Sequence, residues 1–158
     1  MARVLIIGYG NSMRGDDVVG CHVARMLDER YRDQPDVRVI DAHQLTPEMA
    51  EDVAASEFVL FLDAAVGTHA GEIRHQRVKS RPGPLSFAHS LDPDLLLAAA
   101  DELYGSVPGA ELLTIVGASF EVGESLSPAV SERLPDLLQK AQAIVELHRH
   151  HATRELAY

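Results

Sequence analysis

The feature that most constrains the fold is an unbroken apolar segment near the start of the chain that leads into a glycine-rich loop. Residues 4–7 read Val-Leu-Ile-Ile, Gly8 and Gly10 follow, and the loop then carries two adjacent carboxylates, Asp16 and Asp17. A continuous run of branched apolar residues that ends at glycine is typical of a strand buried on both faces of a sheet. Since open α/β sheets bind ligands at the carboxyl ends of their strands, this loop is the first candidate for a functional site.

Strand-like and helix-like segments alternate along the rest of the chain. Predicted strands cover residues 4–8, 37–41, 58–62, 73–78 and 112–117, and predicted helices cover residues 19–31, 47–55 and 128–150, with another that starts at Pro93 after a cap at Ser90 or Asp92. This alternation is typical of a parallel sheet with helices on both faces. We therefore expect an α/β fold, a three-layer sandwich around a mostly parallel, twisted, five-stranded sheet. The polar segment 73–78 is the predicted edge strand, and Pro135 is expected to kink or break the last helix.

Size and composition argue against several classes of protein. With 158 residues, 46% of them hydrophobic, the chain is expected to form one domain over residues 1–158. A net charge of −10 does not suit a nucleic-acid-binding protein, and no apolar run approaches the ~20 residues that span a bilayer. The single cysteine, Cys21, excludes an intrachain disulfide and is expected to be a buried packing residue. No signal-peptide pattern precedes the first strand, so we expect a cytoplasmic protein without membrane insertion.

The glycine-rich loop has one interpretation as a nucleotide site. Gly8 and Gly10 follow the first strand and Asp41 ends the second, which is the arrangement in which glycines admit a pyrophosphate and an acidic residue binds a ribose hydroxyl. Against this interpretation, Met13 occupies the position of the third glycine, and the two carboxylates of the loop would repel an anionic phosphate. A small nucleotide-binding protein therefore stays an alternative.

A second interpretation of the loop is a metal site. In a parallel sheet the strand ends lie along one edge, so Asp16 or Asp17 after the first strand and Asp63 after the third can converge, and the loop that carries His89 can fold over the same edge. Two carboxylates and an imidazole suit a borderline divalent ion and leave positions open for water or substrate. Each residue also has an ordinary interpretation: Asp16 as a cap of the first helix and Asp17 as a solvated carboxylate in its first turn. Asp63 would then be an ordinary turn residue after a strand, and His89 a polar loop residue.

The order of these motifs resembles the hydrogenase maturation endopeptidases, which trim the carboxyl-terminal extension from the large subunit of nickel-iron hydrogenases. The resemblance rests on Ile-Ile-Gly-Tyr-Gly-Asn at residues 6–11, Arg-Gly-Asp-Asp-Val-Val-Gly at 14–20, Leu-Asp-Ala-Ala at 62–65, His89 before a helix, and Leu-Thr-Ile-Val-Gly at 113–117. It spans nearly the whole chain, and its glycine-rich and acidic first part is the most specific. The three-layer α/β sandwich that it implies is the fold expected from the order of the elements.

The resemblance also implies a chemistry for the candidate residues. It identifies Asp17 and Asp63 as the catalytic carboxylates, and Asp17, Asp63 and His89 as the residues that meet a metal. The implied metal is nickel, carried by the large-subunit precursor as the partner protein, although another divalent ion could occupy the site in the isolated enzyme. The implied activity is a nickel-dependent processing endopeptidase, and the alternative within the same fold is a module that binds the precursor without cutting it.

Overall fold

The computed structural model describes residues 2–81, 91–123 and 125–156. Along these residues, five strands and four α-helices follow one another, with a short 3₁₀ turn at Gly15–Val18 and another at Pro47–Met49. The strands are β1 (Val4–Tyr9), β2 (Val37–Ala42), β3 (Phe58–Ala65), β4 (Ile73–Arg77) and β5 (Gly109–Val116). The helices are α1 (Val19–Arg30), α2 (Ala50–Ala54), α3 (Pro93–Tyr104) and α4 (Pro128–Leu156).

The strands form one sheet in the order β2-β1-β3-β5-β4, which confirms the predicted mostly parallel α/β architecture. The four strands β2, β1, β3 and β5 are parallel to one another, and β4 runs antiparallel to β5 at the edge. One apolar cluster joins one face of the sheet to α1 and α4, and a second joins the other face to α2 and α3. The carboxyl ends of β1, β3 and β5 therefore lie side by side along one edge, with a helical layer on each side.

Several element boundaries differ from the sequence expectation. β3 continues through Asp63 to Ala65, so Asp63 lies within the strand and not in the turn after it. β5 begins at Gly109, since residues 109–111 pair with residues 58–60 of β3. The predicted helix 47–55 is a 3₁₀ turn followed by the short α2. Pro135 does not break the last helix, which is continuous from Pro128 to Leu156.

The close approach of α1 to the sheet depends on two glycines. A Cβ atom at Gly8 would lie 2.2 Å from the carbonyl oxygen of Gly20, and one at Gly20 would lie 2.3 Å from the carbonyl oxygen of Leu62. No side chain fits at either position without moving the helix away from the strands. Since Asp17 lies in the turn that leads into α1 and Asp63 directly follows Leu62, this contact brings the two carboxylates to the same edge of the sheet.

Cys21 is 4% exposed, and its thiol donates to the Ala42 carbonyl oxygen at 3.2 Å, so it is the buried packing residue that the sequence predicted. Its burial raises the pKa of the thiol.

Among the helices of the described residues, none combines the length and the apolar character needed to cross a membrane.

Candidate functional site

Asp17 lies in the 3₁₀ turn before α1 and is half-buried. Its Oδ2 atom accepts a hydrogen bond from the backbone N–H of Asn11 at 2.6 Å. Gly10 has φ +146°, and a Cβ atom there would lie 2.0 Å from the carbonyl oxygen of Asp17, so the glycine-rich loop is folded tightly against this turn. The loop therefore uses its N–H group to hold a carboxylate of the chain itself.

Asp63 lies near the end of β3, and its Oδ1 atom accepts a hydrogen bond from the backbone N–H of Ala64 at 2.8 Å. Burial raises the pKa of this carboxyl group, and the nearby charges of Asp17 and Asp92 raise it further, whereas the Ala64 N–H and the Tyr9 hydroxyl lower it. The net effect raises the pKa of Asp63 to about 7. A carboxyl group in this range can both accept and donate a proton at neutral pH.

Tyr9 is the neighbour of Asp63 that the sequence interpretation missed. Its burial, followed by the charge of Asp63, raises the pKa of the phenol far above its ordinary value, so the hydroxyl stays protonated and donates to the Asp63 carboxylate. The available signal was its position at the carboxyl end of β1, between two glycines and beside the end of β3. The position of Tyr9 at a strand end was therefore enough to make it a candidate, although tyrosine is a less obvious candidate than a carboxylate.

A cleft of about 410 Å³ opens beside Asp63. It runs between the edge strand and the start of α3, and it is lined by Tyr9, Asp63, Gln76, Arg77, Val78, Lys79, Asp92, Pro93, Asp94 and Leu112. Asp92 occupies the N-cap position of α3, as predicted, but its side chain makes no capping hydrogen bond. The cleft has the volume of an ordinary small-ligand site and could hold a short stretch of peptide beside Asp63.

Asp16 has a different role from the one expected. It does not cap α1, because its carboxylate is fully buried and accepts four hydrogen bonds from the segment between β5 and α4. The donors are Ala118 N at 2.7 Å, Ser119 N at 3.1 Å, Ser127 N at 2.7 Å and Ser127 Oγ at 2.8 Å. Burial alone would raise the pKa of Asp16, but these hydrogen bonds outweigh it and lower the pKa. Asp16 thus ties the glycine-rich loop to the loop after β5.

The other candidate residues lie elsewhere or outside the described chain. His89 falls outside the described residues, so its place in the metal-binding set stays a prediction. Within the part of the chain that the structure describes, no three His, Cys, Asp or Glu side chains lie together in a position to hold a metal ion. Asp41, the ribose-binding residue of the nucleotide alternative, forms an exposed ion pair with Arg25 at 2.6 Å.

A histidine cluster that the sequence did not predict lies at the other end of β3. His75 and His148 both hydrogen-bond to the carboxylate of Glu111, and His148 stacks on the Phe58 ring with the centroids 3.4 Å apart. Phe58 is the first residue of β3, whereas Asp63 is near its end. These histidines therefore belong to the contact between α4 and the sheet.

The family model described as "Hydrogenase maturation protease" matches residues 21–144. The hydrogenase 2 maturation protease of Escherichia coli (strain K12) is 24% identical over an alignment 148 positions long, and the alignment covers 89% of each chain.

Two solved structures illustrate the likeness in fold. The [NiFe] hydrogenase maturation protease HycI from Thermococcus kodakarensis KOD1 superposes with a TM-score of 0.71 and 26% identity, over 92% of this chain and 93% of that one. The hydrogenase maturating endopeptidase HybD from E. coli superposes with a TM-score of 0.70 and 20% identity, over 91% and 92% of the two chains.

Proposed function

Because the chain belongs to the hydrogenase maturation protease family, we propose that it is an endopeptidase that removes the C-terminal extension of a nickel-iron hydrogenase large-subunit precursor. The observation that carries this proposal is the proximity of Asp17 and Asp63 at the edge of the sheet, close enough for the charge of Asp17 to raise the pKa of Asp63. Peptide hydrolysis needs a group that accepts and donates protons, and a carboxylate of this edge can do so. It also needs a group that stabilises negative charge, and a cation held by the two carboxylates can do so.

The cation in this proposal is nickel, and it belongs to the substrate. Asp17, Asp63 and His89 would face the nickel of the docked precursor, since carboxylate and imidazole groups are suitable ligands for such an ion. A dication beside two carboxylates favours their ionised forms. Cleavage would then depend on the metal because a precursor without nickel would leave the acidic edge without its partner.

We assign proton transfer to Asp63. The ionised carboxylate that a nearby dication favours can take a proton from the attacking water and return it to the nitrogen of the departing peptide. The protonated Tyr9 hydroxyl helps to hold the Asp63 side chain in place. Asp17 is held by the Asn11 N–H and would contact the nickel of the docked precursor. The proposal thus gives the two catalytic carboxylates different tasks in one reaction.

The test uses purified precursor in nickel-loaded and nickel-free forms, with the mass of the product as the readout. We expect the nickel-loaded form alone to be shortened, and we expect Asp17→Asn or Asp63→Asn to slow cleavage by at least about 10²-fold, the usual contribution of a general acid or base. Asp41→Asn is the matched control, because it makes the same chemical change at an exposed ion pair.

Three outcomes would contradict parts of the proposal. Equal cleavage of both precursor forms would refute nickel recognition. Full activity of the Asp17→Asn, Asp63→Asn double variant would refute the assigned roles. Stable binding of the precursor without a change in its mass would favour the binding module.

A further inference from the structure

Three large apolar side chains are exposed at the sheet edge that carries Asp17 and Asp63. Met13 is 50% exposed, Val66 is 83% exposed and Val122 is 84% exposed. They lie in the segments that follow β1, β3 and β5, which are adjacent parallel strands. Single exposed apolar residues are common on protein surfaces, but several on one edge beside a candidate active site indicate a contact surface. We call Met13, Val66 and Val122 the apolar rim.

Backbone hydrogen bonds fix the loops that carry the rim. The N–H of Gly123 donates to the carbonyl oxygen of Met13 at 2.8 Å, and the N–H of Gly15 donates to the carbonyl oxygen of Gly123 at 2.8 Å. The buried Asp16 carboxylate adds its hydrogen bonds to the same pair of loops. Beside Val66, the N–H of Gly117 donates to the carbonyl oxygen of Ala65 at 2.9 Å. The rim side chains are therefore presented to solvent on braced backbone, which lowers the entropy cost of binding a partner there.

We propose that the apolar rim is the docking surface for the folded body of the metal-carrying precursor, so that the enzyme recognises a protein face as well as the peptide it cuts. This inference rests on the proposed function. Methionine is enriched and charged side chains are depleted at the cores of protein interfaces. The apolar rim lies on the sheet edge that carries Asp17 and Asp63, so one docked partner can contact the rim and these two carboxylates together.

Charge decides between the precursor and a second copy of this chain. The chain carries a net charge of −10, and a symmetric contact through the rim would bring Asp17 and Asp63 of one copy against the same carboxylates of the other. Like charges brought together at an interface oppose association, whereas a partner face that carries a metal cation complements this edge. The precursor is therefore the occupant that the charges favour.

The test compares a rim variant with a control variant at the opposite edge. The rim variant combines Met13→Ser, Val66→Ser and Val122→Ser. The control combines Leu103→Ser and Val107→Ser, two exposed apolar residues near the start of β5, where the strand is farthest from Asp63. Both proteins are assayed on the folded, nickel-loaded precursor, with their folding checked by circular dichroism and thermal melting.

We expect the rim variant to raise KM by at least about tenfold, with kcat within about threefold of the unaltered enzyme, because the lost contacts are made before and during the reaction alike. The control should leave both constants unchanged. A rim variant whose KM stays within about twofold overturns the inference. So does a rim variant that changes only the oligomeric state in light scattering, which would identify a second copy as the occupant. Failure of the unaltered enzyme to cleave the precursor refutes the proposed function, whereas the ratio of variant to unaltered enzyme decides the role of the rim.

Discussion

Replacing Asp16 by asparagine tests how the glycine-rich loop is held. The Asp16 carboxylate is buried and accepts four hydrogen bonds, three of them at Oδ2 and the fourth, from Ser127 N, at Oδ1. Asparagine has one acceptor oxygen, so placing it at the Oδ2 position turns its NH₂ group toward the N–H of Ser127. Two donors then face each other in a buried site, and the three remaining bonds lose their charged acceptor.

The expected cost of Asp16→Asn is about 2–4 kcal/mol of unfolding free energy. Hydrogen bonds to a charged group contribute ~1.5–3 kcal/mol each and neutral ones ~1 kcal/mol, while the neutral side chain is easier to bury and offsets part of the loss. Because the pKa of Asp16 is lower in the folded protein, its contribution is fully present above the unfolded pKa near ~3.9 and is lost as the pH falls. The difference between the two proteins should therefore shrink in acid.

Urea unfolding followed by circular dichroism at pH 7 and at acid pH measures this difference. Glu121→Gln is the matched control, since it removes the same charge from an exposed residue of the loop after β5. We also expect Asp16→Asn to slow precursor cleavage, because the hydrogen bonds of the Asp16 carboxylate position the turn that carries Asp17. A loss of stability below about 0.5 kcal/mol, the range of ordinary surface substitutions, would refute the argument.

Two further substitutions test the packing of the fold. Gly8→Ala should destabilise the protein by at least about 2 kcal/mol in urea unfolding, since the new Cβ atom would lie 2.2 Å from the Gly20 carbonyl oxygen. Gly109→Ala is the control and should be tolerated, because the nearest atom to its Cβ atom is 3.7 Å away. Equal tolerance of both substitutions would contradict the packing argument. Asp36→Asn should lower the free energy of unfolding by about 1–2 kcal/mol at neutral pH, because the Arg149 guanidinium bonds to Asp36 at 2.7 Å and lowers the pKa of that carboxyl group. This difference between the two proteins should disappear as the pH falls through ~3.9 to the lower pKa of the folded protein. A difference that persists at lower pH would exclude the ion pair as its cause.

The order of the elements could be predicted from the sequence because burial patterns are local. The apolar run before Gly8 identifies β1 within one residue, and the polar segment after Ile73 identifies the edge strand. The start of β5 was missed because Gly109 and Glu111 do not continue an apolar pattern, and the strand there depends on backbone pairing with β3. The end of β3 was missed for the same reason, since residues 63–65 also belong to the ladder with β5.

The candidate site was predictable to the extent that it follows from topology. Parallel strands place Asp17 and Asp63 at one edge, which the sequence indicated. The difference between Asp16 and Asp17 was not predictable from residue type, because one 3₁₀ turn decides which of two adjacent carboxylates points into the protein. The donors that hold Asp16 lie more than a hundred positions away in the chain. Such long-range contacts have no local signal.

The buried position of Asp16 also affects the electrostatics of the site. All four groups that donate to its carboxylate are neutral, so its negative charge is stabilised but not cancelled. This charge stands beside Asp17, and the charges of Asp17 and Asp92 already raise the pKa of Asp63. A concentration of carboxylates creates a potential that attracts cations over distances of about a Debye length. The edge is thus arranged to gain stability when a positive charge arrives, as the proposed function requires.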